Sequence, residues 1–136
     1  MKSQIKEVLQ VFRSCRRLSD DPNDQSRLDK QIEALKCIQK SLDEFGSMRY
    51  QISSFEKLLC DPWMNDQSAF DQVYSAWDSF RNSFKRYVGG MTVNERLCYF
   101  GLMDDYDQSV GRPLEMRSVL LAVFLSESNI DAIIRA

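Results

Sequence analysis

Histidine is absent from this chain of 136 residues, and its absence removes several chemistries together. The commonest general base, the commonest metal ligand and the usual pH switch near neutrality are all missing. Ser-His and Cys-His nucleophile pairs are excluded with it. Glycine and proline are scarce, at five and three residues, too few for a sandwich that turns every ten residues or so. No C-x-x-C pair joins the four cysteines at 15, 37, 60 and 98, so a zinc site has no starting point. Long apolar runs are missing too. The longest, Val119 to Leu125, falls far short of a membrane span.

Glycine loops that cradle phosphate and nucleophile elbows are equally lacking, and with them any basis for an enzyme. The expectation is a non-catalytic protein with no cofactor and no bound metal. The start, Met1-Lys2-Ser3-Gln4-Ile5-Lys6-Glu7, is charged and amphipathic rather than a signal peptide. Cys15, Cys37 and Cys98 fall among apolar helix positions and read as buried free thiols. Together these features predict a protein made and kept in a reducing cytoplasm.

What is present is helical spacing in every segment. A chain that is 43% hydrophobic and 28% charged has the composition of a soluble globular protein. Ile5, Val8, Leu9, Phe12, Cys15 and Leu18 form one helical face. Breakers at Ser19 to Asp24 precede a second helix with Leu28, Ile32, Leu35, Ile38, Leu42 and Phe45, stopped by Gly46. Tyr50, Ile52, Phe55, Leu58 and Leu59 mark a third, ended by Cys60-Asp61-Pro62. The fourth, near 67–88, carries Phe70, Tyr74, Trp77, Phe80, Phe84 and Tyr87 on a broad face, with Arg81, Lys85 and Arg86 lining its solvent side.

Gly89-Gly90 is the sharpest break. Thr92 and Glu95 then form a capping box, in which each side chain can satisfy an orphaned backbone N–H. A fifth helix runs from there to Gly111-Arg112-Pro113, burying Val93, Leu97, Phe100, Leu102, Met103 and Tyr106. A sixth holds Leu114, Met116, Val119, Leu120, Val123 and Phe124. Ser126 caps a last short helix with Ile130, Ile133 and Ile134. The spacing predicts one all-α domain over residues 1–136, a compact bundle-like or orthogonal array of six or seven helices.

Charge is uneven along the chain. Residues 1–60 hold 11 Lys/Arg against 9 Asp/Glu, a net +2, and residues 61–136 hold 7 against 11, a net −4. An acidic face suits a basic protein partner and disfavours nucleic acid; an ordinary solvated surface gives the same count. Asp104, Asp105 and Asp107 are the one tight acidic cluster in a well-defined helix. Attraction to a basic partner, plain solvation and a hard-cation site are the readings open to it. A site for metal lacks the calcium loop's glycine, and Asp105 points away from the other two. The loop Asp61 to Asp66 offers Trp63 as either its own anchor or an interface hot spot.

The run Thr92-Val93-Asn94-Glu95-Arg96-Leu97, then Gly101-Leu102, then Asp104-Asp105-Tyr106-Asp107, resembles a T-V-N-E-R-L…G-L-x-D-[DE]-[FY]-D signature. It is found in small bacterial proteins that often act as immunity proteins to toxins of contact-dependent growth inhibition and related polymorphic toxin systems. The resemblance covers about residues 91–136, and residues 1–88 form the variable helical part of the same domain. It departs from the pattern at Cys98, where an aromatic is usual, and at Tyr106 in place of phenylalanine. The resemblance implies an antitoxin that neutralises a cognate toxin domain, a nuclease in many such systems, by covering its active site. Thr92, Glu95, Leu97, Leu102 and Gly101 also have structural readings, which leaves Asn94, Arg96 and the aspartates as candidate contacts. The expected interface is Asp104, Asp105 and Asp107, with Asp61, Trp63 and Asp66 as an adjacent loop. The alternative is an adaptor or secretion chaperone binding an apolar segment through a groove; on either reading the expected partner is a protein, with no membrane and no nucleic acid.

Overall fold

A computed structural model describes residues 1–60 and 64–136. Among the described residues there are eight α-helices and no strand. Four long ones come first: α1 (Lys2–Leu18), α2 (Pro22–Ser41), α3 (Met48–Cys60) and α4 (Gln67–Val88). Four short ones follow: α5 (Val93–Phe100), α6 (Met103–Ser109), α7 (Pro113–Ala122) and α8 (Glu127–Arg135).

The long helices make an up-and-down bundle. Lys2 Nζ meets Asp43 Oδ2 at 2.9 Å at one end and Arg16 Nε meets Asp29 Oδ1 at 2.8 Å towards the other, so α1 and α2 run antiparallel. α1 also packs on α4, and α2 on α3. The predicted apolar stripes meet inside: the Phe12 and Phe55 rings lie 5.7 Å apart, and Phe55 and Trp77 4.4 Å apart. Such edge and tilted contacts add about 1 kcal/mol each beyond the area they bury.

The short helices close the end of the bundle where α2 finishes and α4 runs out. The Phe84 ring, near the end of α4, sits about 6 Å from the rings of Tyr99, Phe100 and Phe124. The Tyr99 hydroxyl donates to the Leu42 carbonyl at 2.8 Å, satisfying a C-terminal carbonyl of α2 that lacks a helical partner.

Several sequence expectations change. Eight helices replace six or seven because the predicted fifth helix breaks at Gly101, which holds φ +75°. A Cβ there would stand 2.2 Å from the Gly46 carbonyl oxygen; only glycine permits both the left-handed turn and this backbone contact. Next, α2 ends at Ser41 rather than at Gly46, which leaves Phe45 63% exposed with its ring edge-on to Tyr99 at 5.3 Å. Finally, Cys15 is buried but Cys37 and Cys98 are exposed. Each lies one position off a buried stripe residue, Ile38 and Leu97 respectively, and one position on a helix is a rotation of about 100°.

Candidate functional site

The segment from Met91 onward sorts its polar residues into two groups, those engaged by the fold and those left free. Thr92 caps α5: its Oγ1 accepts the Glu95 N–H at 3.2 Å, while its hydroxyl donates to Glu95 Oε1 at 3.0 Å. The capping box is therefore half formed, since the Glu95 carboxylate takes the threonine hydroxyl instead of a backbone N–H.

Arg96 is the most heavily engaged residue of the segment. It is 8% exposed, and its guanidinium donates to the carbonyls of Met91, Gly89, Val123 and Phe124 at 3.2–3.3 Å. The last three lie at the C-terminal ends of α4 and α7, where helix dipoles favour a cation. Burial pulls the arginine's pKa below its ordinary value. As a candidate toxin contact Arg96 is withdrawn, because its donors are turned inward to join two helix ends.

Arg117 ties α7 to α8 by donating to Glu127 and Asp131. The hydrogen bond from Arg117 holds the Asp131 carboxyl below the usual range. Asn94, Asp104, Asp105 and Asp107 are in the other group. All four are exposed, and among the described residues they enter no side-chain hydrogen bond or ion pair. Asp104 and Asp105 occupy the first turn of α6, where carboxylates complement the helix dipole, and Asp107 lies three residues beyond Asp104. Among the described residues no three His, Cys, Asp or Glu side chains come together in a way that could hold a metal ion.

Asp66 lies elsewhere. It is the N-cap of α4, accepting the Ala69 N–H at 3.1 Å, and its own N–H donates to Asp24 Oδ2 at 2.9 Å. The 22 residues of α4 put about 33 Å of helix between this end and the loop that leads to α5. Asp66 is thus not adjacent to the α6 aspartates. Asp61 and Trp63 lie outside the described residues.

A second feature did not stand out from the spacing of residues. Between α3 and α7 lies a cleft of about 270 Å³ whose charged side chains are Arg49, Glu56 and Arg81. Glu56 Oε2 accepts the Trp77 Nε1–H at 3.1 Å and pairs with Arg81 Nε at 3.2 Å. The Arg81 guanidinium also lies 5.0 Å from the centre of the Phe124 ring. Arg81 is therefore half-buried at this wall instead of on the open solvent side of α4. Phe124 is the one non-glycine residue with positive φ among those described, at +64°.

Compared with family models, curated proteins and solved structures, the chain matches none.

Proposed function

We propose that this protein is a non-catalytic immunity protein, which binds a toxin domain in the cytoplasm and covers its active site with the acidic face of α6. The observation that supports this reading is the division within the 91–136 segment. Thr92, Glu95, Arg96 and Gly101 are engaged by the fold, whereas Asp104, Asp105 and Asp107 project from a seven-residue helix with no side-chain partner among the described residues. Three carboxylates within four residues concentrate negative charge on this short helix. A toxin that cleaves nucleic acid needs a positive cleft to hold phosphates, and such a cleft attracts an acidic inhibitor over several ångströms of solvent.

The test joins protection to kinetics. The toxin domain encoded beside this chain is expressed with and without it, and the purified pair is measured by stopped flow over a range of salt. The expected outcome is restored growth, with association slowed about tenfold and less salt-sensitive in the Asp104→Asn/Asp105→Asn/Asp107→Asn variant. Failure of the parent to restore growth overturns the immunity reading. Full protection with unchanged association in the variant moves the interface away from α6.

A further inference from the structure

We propose that the cleft between α3 and α7 is a second docking site, which takes a peptide segment of a partner protein carrying a carboxylate beside large apolar side chains. Charge complementarity names the occupant. The chain carries a net −2, yet the charged groups of this cleft, Arg49, Arg81 and Glu56, sum to +1. Glu56 is already shared between Trp77 and Arg81. Arg49 is exposed and enters no ion pair among the described residues, so its donors are open to an incoming carboxylate. Arg81 is held in place by Glu56 and by the Phe124 ring, a preset orientation that favours planar recognition of a carboxylate. One net positive charge is too little to hold a phosphate backbone.

The apolar half of the requirement comes from α7. Leu114, Ser118 and Leu121 share one face at spacings of four and three, and Leu114 is 81% and Leu121 43% exposed. Met116 and Leu120 on the same helix are buried, so α7 shows apolar side chains both inward and outward. A helix apolar on both sides is normally covered on both. Leu121 and Phe124 line the cleft itself, and Leu114 extends the stripe one turn beyond Ser118. An acidic residue flanked by leucine-like side chains would reach Arg49 and Arg81 while covering Leu121 and Leu114. This site is distinct from the acidic α6 face and does not depend on the toxin reading.

The experiment selects a random twelve-residue display library on the intact chain, with counter-selection on Arg49→Glu. Arg49 is exposed and enters no ion pair among the described residues, so this variant keeps its fold, which a thermal melt checks. Enriched peptides are then synthesised and their affinities measured by fluorescence anisotropy. The expected result is a carboxylate beside one or two large apolar residues, with affinity weakened at least tenfold by Arg49→Glu and by Leu121→Ser. Affinity should be unchanged by Asp104→Asn/Asp105→Asn/Asp107→Asn. Absence of any enrichment over the counter-selected variant overturns the proposal. So does enrichment of basic or uncharged peptides, or of peptides whose binding depends on the α6 aspartates.

Discussion

Arg96 on α5 donates to the carbonyl of Phe124 at 3.2 Å, and Phe124 is held at φ +64°. One buried cation thus fastens the end of α7 in a backbone conformation that side chains other than glycine rarely adopt. The same guanidinium reaches Gly89 past the end of α4, so it forms a polar joint between the bundle and the C-terminal helices. Replacing Arg96 with Met keeps the stem but leaves up to four carbonyls without their donor. Urea denaturation should show a loss of about 3 kcal/mol, since an unsatisfied buried acceptor costs about 1–3 kcal/mol and the outer ones regain water. Arg96→Lys should recover only part of this, because an ammonium cannot span both helix ends.

Phe124 itself yields a sharper comparison. Its backbone occupies the left-handed position that follows a helix, with the Leu125 N–H returning to the Leu120 carbonyl at 3.3 Å, a place where glycine is usual. Its ring compensates by packing on Phe84 and Phe100 and under Arg81. Phe124→Ala loses the ring and keeps the strain, whereas Phe124→Gly loses the ring and relieves the strain. The glycine variant should therefore be about 1 kcal/mol more stable than the alanine variant. Equal stabilities in thermal melts would show that the φ value carries no strain.

These joints also mark the boundary of what the sequence discloses. The helices of the bundle were legible because stripes such as Ile5–Val8–Leu9–Phe12 and Leu28–Ile32–Leu35 repeat for several turns and pack at every turn. Gly101 has a structural reading in the sequence, but its role as a helix end is hidden there, because apolar residues continue past it at Leu102, Met103 and Tyr106. Arg96 looked like a surface contact since arginine is almost never fully buried without a partner, and its partners are carbonyls up to 28 residues away that no local pattern encodes. Leu114 looked like core because periodicity reports a face without saying what lies opposite. The α6 aspartates were visible as a cluster; their distance from Asp66 depends on the length and direction of α4.

At the opposite end of the bundle, Asp24 is fully buried and accepts the N–H groups of Asn65 and Asp66 at 2.7 and 2.9 Å. Asp21 beside it caps α2 and accepts from Asn65 Nδ2 at 2.7 Å. Two carboxylates of one helix start thereby fix the approach to α4. Asp24→Ala leaves two N–H groups without their acceptor and should cost about 3 kcal/mol in chemical denaturation. Asp24→Asn retains one acceptor oxygen and should cost about half as much. Asp24 and Asp66 lie at the end of α4 opposite α5, so neither variant should alter the association rate of the folded protein with the proposed toxin partner.

The protein should lose stability at both extremes of pH, for separate reasons. The hydrogen bond from Asn65 lowers the pKa of Asp21, and that from Arg117 lowers the pKa of Asp131. Each contributes stability that is present above the ordinary carboxylate value near 3.8 and is lost as pH falls through the lower folded-state value. On the alkaline side, burial raises the pKa of Tyr99, reinforced by Tyr87 and Asp43, above the ordinary value of 10.0. Its neutral hydroxyl stabilises the fold below pH 10 and ceases to do so as pH rises through the folded-state value. Phenolate absorbance should accordingly show a late step that Tyr99→Phe removes. The same variant should lose about 1 kcal/mol at neutral pH, since the Leu42 carbonyl at the end of α2 loses its donor, and its stability should fall less steeply above pH 10 than the parent's. A Tyr99→Phe variant that keeps the late step would mean that another tyrosine is the one shielded at this joint.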